Sequence, residues 1–295
     1  MVAKNFNKLF IAAAVAACTA WMPAANAETV MWEGQSPIDI PAASLTLSKN
    51  FNKISVHYSK ETIKLVNTYV EGGTIDREWG ALKAQPLSGP AFNSYIMVDG
   101  EKYVLAQFHF HTPSEHTLNA QAAPAEIHFV HLRVHDNGDP YCVGEPQSLL
   151  VIGAFINANN RTTRGEMAKI FANGTLPARS VDASVQIADF NLSKLMPSVT
   201  YSYRYNGSLT APSAVDCTKD VFSNETAIYN THNTVYNSDK THQLDAEVFP
   251  EAVSWVVLKA PMTISEEDLQ KLETAMGENS RPVQPRNNRA IKFVP

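Results

Sequence analysis

Two things are scarce in this 295-residue chain: cysteine, of which there are three, and long apolar runs. Beyond residues 9–20 no stretch is apolar enough to cross a bilayer as a helix, which argues against a helical membrane protein. Clustered basic residues are missing too, and the 24 Lys and Arg are outnumbered by 29 Asp and Glu. An acidic chain without a basic patch argues against nucleic acid as a partner. Nothing in the middle reads as a linker and no segment repeats, so one domain is expected.

The first 27 residues read as an address. Lys4 and Lys8 make a basic start, residues 9–20 an apolar run, and Ala25-Asn26-Ala27 a small-residue cleavage site. Cleavage there leaves residues 28–295, and the lost lysines take the formal net charge from −5 to −7. The alternative is lipoprotein processing at Cys18, after Val15-Ala16-Ala17. Trp21 and Met22 suit a polar tether badly, and that reading leaves Ala25-Asn26-Ala27 unexplained. Either way the expected location is outside the cytoplasm, periplasmic or secreted. Cys142 and Cys217 then remain as an even pair, for which one disulfide is the default in an oxidising compartment and two buried thiols the alternative. A bridge closing that loop adds roughly 4 kcal/mol by chain entropy, less any strain.

What the chain does have is histidine in a telling arrangement. In Gln107-Phe108-His109-Phe110-His111, polar and aromatic residues alternate with period two. On a strand the glutamine and both histidines share one face and the phenylalanines the other; a helix would scatter them. Thr112-Pro113-Ser114 ends the strand, since proline cannot donate to a ladder. A second strand, Glu126-Ile127-His128-Phe129-Val130-His131, puts Glu126, His128 and Val130 on one face. If the strands are neighbours, His109, His111 and His128 converge into a metal site. Three protein ligands with an open fourth position is the pattern of catalytic zinc. Gln107 and Glu126 each precede a histidine by two residues on its own face, where partners for the second ring nitrogen are needed. The plainer alternative is polar residues on solvated strand faces.

Around this stretch the pattern is β. Alternation runs through 54–58 and 62–66, and Asp99-Gly100 joins two apolar runs as a two-residue hairpin turn. Residues 147–156 and 252–258 are aliphatic enough to be strands buried on both faces, and 200–205 alternates again. A short surface helix is expected over 164–171. A clearer one follows Ser265, with Leu269, Leu272 and Met276 as its stripe and Gly277 as its stop. Residues 218–252 are polar and weakly periodic, an excursion whose His232 and His242 read as solvated. The expected fold is mainly β: a large central, mostly antiparallel twisted sheet with a few short surface helices.

Six stretches in order resemble the α-class carbonic anhydrases, bacterial exported branch: Gln35-Ser36-Pro37-Ile38-Asp39-Ile40, 107–116, 125–131, Gly207-Ser208-Leu209-Thr210, 253–258 and Arg281-Pro282-Val283-Gln284-Pro285. The resemblance implies a Zn2+ enzyme that hydrates carbon dioxide to bicarbonate and a proton by attack of zinc-bound hydroxide. It implies His109, His111 and His128 as ligands, and Gln107, Glu126 and the backbone of Asn279 as their partners. It further implies Thr210 hydrogen-bonded to Glu115 as the pair that orients the hydroxide, and Val130, Val151, Leu209 and Trp255 as the apolar wall for carbon dioxide.

The chain also departs from the family pattern. A proton-shuttling histidine usually follows an Asn-Asn-Gly stretch, but Val66-Asn67-Thr68-Tyr69-Val70 contains none, so turnover is expected to lean on external buffer. A cysteine that is usual before Gln35 is absent, which makes Cys142 the expected substitute partner if Cys217 is bridged. For the 218–252 excursion, a homo-oligomer interface and a partial roof over the cleft are both open. Two other functions compete with hydration. A silent binding module would be expected to lose a ligand or the Thr210–Glu115 pair, and all are present. A primary zinc esterase would need a second nucleophile or substrate cluster, and none is evident.

Overall fold

The computed structural model describes residues 34–68, 81–87, 91–136, 138, 141, 147–172, 176–177, 183–211 and 252–295. The expected leader with Cys18, the Cys142/Cys217 pair and the excursion up to residue 251, with His232 and His242, lie outside the described residues.

In chain order the strands are β1 (Asp39–Ile40), β2 (Ile54–His57), β3 (Lys60–Thr68), β4 (Ala81–Pro86), β5 (Ala91–Val98) and β6 (Glu101–His111). The small strands β7 (Thr117–Leu118) and β8 (Gln121–Ala122) precede β9 (Ala125–Val134) and β10 (Leu149–Asn159). Helix α1 (Gly165–Phe171), β11 (Ser184–Asn191) and α2 (Leu192–Leu195) follow, then β12 (Ser202–Gly207), β13 (Val253–Ser265), α3 (Glu266–Met276) and β14 (Lys292–Val294). Of the described strands, eleven form one sheet. Its main path runs β11-β3-β4-β6-β9-β10-β13-β12-β14, with β5 also on β6 and β2 on β5. Among the described strands of this sheet, only β10 and β13 pair in parallel. The mainly β, mostly antiparallel fold read from the sequence is the fold observed.

Local chemistry accounts for the element ends. Asp99 and Gly100 both have positive φ, 52° and 86°, as a tight two-residue hairpin between β5 and β6 requires. Strand β6 stops at His111, immediately before Thr112-Pro113. The Ser265 hydroxyl accepts from the Asp268 N–H at 3.0 Å to cap α3, and Gly277 ends that helix at φ 69°. Strand β13 runs to Ser265, beyond the expected end at 258. The ladder with β10 shifts register between Ala154 and Ile156, opposite Leu258 and Met262, so a bulge absorbs Lys259, Ala260 and Pro261 and pairing resumes.

The sheet has an apolar cluster on each side. One contains Phe108, Phe110, Ile127, Phe129, Ile152 and Phe190 and is closed by α1, α2 and α3. The other contains Val130, Val151, Leu209 and Trp255, beside Tyr203 and Tyr205. Each fully buried aromatic or aliphatic side chain contributes about 1.5–3 kcal/mol. Among the described residues no helix is long and apolar enough to cross a membrane.

Candidate active site

Register brings the histidines together. In the β6–β9 ladder, His109 stands opposite His128, Gln107 opposite Val130 and His111 opposite Glu126. Directly opposed residues share a face, so all six side chains leave the same side of the sheet. His109, His111 and His128 are each about 2% exposed or less, and ligand atoms from the three rings lie within 4.8 Å of one another. That is close enough to share one ion.

Each ring is held at its other nitrogen. His109 Nδ1 is 2.8 Å from Gln107 Oε1, and His111 Nδ1 is 3.3 Å from the Asn279 carbonyl oxygen. His128 Nε2 is 3.1 Å from Glu126 Oε1, at hydrogen-bond distance though poorly aligned. Asn279 reaches this point because the end of α3 is stitched to the end of β6. Its N–H donates to Thr112 O at 3.1 Å, its Oδ1 accepts from Thr112 N–H at 2.9 Å, and its Nδ2 donates to Phe110 O at 3.0 Å. Burial lowers the pKa of His128, favouring neutral imidazole, the form that ligates a metal.

Glu126 is the hub. Its Oε2 accepts from the backbone N–H groups of Glu115 and His116, both at 2.9 Å, and its Oε1 lies 2.8 Å from His116 Nδ1. Burial alone would raise this carboxyl's pKa. The adjacent His116 and His128, with their hydrogen bonds, overcome that and hold it well below the usual range. Beyond it, His116 Nε2 is 2.7 Å from the Tyr205 hydroxyl, which donates to Ser36 Oγ at 3.0 Å.

Glu115 and Thr210 also meet. The Thr210 hydroxyl and the Arg281 N–H, the latter at 2.9 Å, hydrogen-bond to the Glu115 carboxyl, whose pKa burial nevertheless pushes well up. Its Oε2 has no hydrogen-bond partner and lies 3.5 Å from His111 Nε2 and 3.8 Å from His128 Nδ1, facing the space between the rings. Val130, Val151, Leu209 and Trp255 line one small cavity together with His109, His128, Thr210 and Ala211. All the site residues expected from sequence are thus gathered, apart from the Cys142/Cys217 pair outside the described residues.

A model of the eukaryotic-type carbonic anhydrases matches residues 19–243. The chain belongs to the carbonic anhydrase family. Among its relatives, the carbonic anhydrase of Neisseria gonorrhoeae is 29% identical over 93% of this chain and 92% of its own. That of Klebsiella pneumoniae is 28% identical over 87% and 78%. Among solved structures, the Photobacterium profundum α-carbonic anhydrase superposes with a TM-score of 0.61 at 27% identity, covering 89% of this chain and 90% of that one. The Thermovibrio ammonificans α-carbonic anhydrase, solved with the inhibitor sulfanilamide, gives 0.61 at 29% identity over 88% and 87%. Membership makes this a chain of an enzyme family with a small-molecule substrate, and its histidine-rich site is one that could bind a metal.

Three features of this family member escaped the sequence reading. His116, Tyr205 and Ser36 extend the hydrogen bonds behind His128, but each lies off the period-two pattern that exposed the ligands. Lys83 stands opposite His109 in the ladder, while its neighbours Leu82 and Ala84 pack into the far cluster, so Lys83 occupies the histidine face. It is 2% exposed, and burial lowers its pKa to about 7. Asn67, in the stretch where a shuttle was sought, instead donates through Nδ2 to Ala275 O at 2.7 Å.

Proposed function

We propose that this chain is a zinc-dependent carbonic anhydrase of an extracytoplasmic compartment, converting carbon dioxide and water to bicarbonate and a proton. The observation that carries the reading is that three imidazoles and the Thr210–Glu115 pair border the same space, against an apolar wall. The donor set fits zinc: three imidazole nitrogens, each ring with an oxygen within 3.3 Å of its second nitrogen, and an orphaned Glu115 oxygen facing the gap between them. Bound zinc would supply a Lewis acid that makes hydroxide available from water near pH 7, an effect for which this family is itself the type example.

The residues of the chain do the rest. His109, His111 and His128 would hold the ion, and Gln107, Asn279 and Glu126 would fix their rings. The Thr210 hydroxyl donates a hydrogen bond to Glu115, which leaves lone pairs on Oγ1 that would accept a hydrogen bond from the attacking oxygen and aim it. Val130, Val151, Leu209 and Trp255 offer carbon dioxide an apolar resting place that does not compete for those hydrogen bonds. No histidine stands in the 66–70 stretch to carry the released proton outward, so buffer molecules are the expected acceptors.

The deciding experiment is stopped-flow hydration by the 28–295 chain before and after zinc is stripped, across a range of buffer concentrations. Activity that vanishes with the metal, returns with zinc and rises with buffer is the expected result. A folded, zinc-loaded protein without hydration activity would overturn the proposal.

A further inference from the structure

Strand β10 carries a glycine, Gly153, in the middle of its aliphatic run, directly opposite His128 in the β9–β10 ladder. A glycine there weakens a strand and needs a reason. Its backbone is not one of the left-handed positions, so any residue could adopt its φ, and conformational freedom is not that reason. Space is. A Cβ built at Gly153 would lie 2.7 Å from Glu126 Oε1 and 3.6 Å from His128 Cδ2. Real Cβ atoms essentially never come as close to another heavy atom as the first of these, so one of the two groups would have to move.

An exposed glutamate would simply swing aside. Glu126 has no such freedom, because it is fully buried and both its oxygens are engaged. Oε2 holds the N–H groups of Glu115 and His116, and Oε1 sits between His116 Nδ1 and His128 Nε2. A shift large enough to relieve the clash breaks contacts on both oxygens together. It frees the ring of His128 and loosens the turn that presents Glu115.

We propose that Gly153 is a positioning residue of the metal site: its missing side chain is the space that Glu126 Oε1 occupies while it orients His128. This rests on the reading of the three histidines as zinc ligands. The test therefore measures zinc affinity, by competition with a chromophoric chelator, in four full-length proteins: the native chain, Gly153→Ala, Glu126→Ala and the double variant. The native chain's own zinc binding checks the underlying reading separately.

Loss of a partner that orients a metal-binding histidine typically costs 10–100-fold in affinity. Gly153→Ala should weaken zinc binding by about that factor in the native background. In the Glu126→Ala background, where no carboxylate remains to be struck, it should have little further effect. Should Gly153→Ala fail to fold, the double variant should fold, because the obstructed group is gone. Native zinc affinity in Gly153→Ala, equal losses in both backgrounds, or a double variant that fails to fold where Glu126→Ala folds would each overturn the proposal and return Gly153 to the packing of the sheet.

Discussion

Phe108, Phe110, Ile127 and Phe129 alternate along β6 and β9 with Gln107, His109, His111, Glu126 and His128, so one stretch of backbone serves two different interiors. Both faces are buried to similar degrees. On the apolar side each ring has several neighbours; Phe108 alone packs within about 6.2 Å, centroid to centroid, of Phe110, Phe129 and Phe190. On the polar side each group depends on named atoms at hydrogen-bond distance. Loss of a side chain should therefore be graded by volume on the first face and by the partners it orphans on the second.

The sharpest break in that comparison uses adjacent residues. His128→Ala should abolish stoichiometric zinc binding and take hydration to the uncatalysed background while the protein still folds. Phe129→Ala, one position along on the other face, should cost about 3–5 kcal/mol of stability yet keep its zinc wherever it is folded. Zinc content by elemental analysis, read beside chemical denaturation, separates the two. If Phe129→Ala lost zinc while folded, the faces would be energetically coupled and the contrast would fail.

Lys83 gives the next largest effect and carries a sign. Burial holds its pKa at about 7 in the folded protein, against 10.5 ordinarily. Between those values the unfolded chain binds the extra proton, so stability rises with pH through that window, and the penalty is complete below pH 7. At 1.36 kcal/mol per pH unit the full penalty is about 5 kcal/mol. In zinc-free protein, Lys83→Met should stabilise at pH 6 by up to that amount and flatten the stability profile between pH 7 and 10. An unchanged slope would mean that the lysine keeps its charge in the folded state.

How much of this was legible in the residues depended on whether a strand carried the information. His109, His111 and His128 could be read because period two assigns each to a face, and Asp99-Gly100 because a tight hairpin demands positive φ. Strand β11 could not. Its ladder with β3 slips between Ile187 and Phe190, with Asp189 at φ 51°, and the bulge erases the alternation that would mark it. The Asn279 contact came only from the family resemblance, since a backbone carbonyl leaves no trace in side-chain pattern. Gly153 sits in a run that reads as featureless core until the register places His128 opposite. His116 follows the proline that ends β6, where periodicity no longer predicts facing.

The smallest expected effect lies at the outer end of the polar face. Tyr205 stands between His116 and Ser36, two hydrogen bonds from the Glu126 oxygen that faces His128. A side chain at neighbouring Gly207 would overlap Ser36 Oγ, so the groups at this end are also packed without slack. Tyr205→Phe keeps the ring and removes the hydroxyl, leaving His116 Nε2 buried without its partner, at a cost of about 1–3 kcal/mol. Zinc affinity should fall by less than the roughly tenfold expected when a direct partner of a ligand is lost. The reason is that Glu126 keeps both backbone N–H donors and its contact with His128. If Tyr205→Phe instead weakened zinc binding as much as Glu126→Ala, the effect would not fade with distance from the ligand. The polar face would then behave as one cooperative network, with no link replaceable on its own.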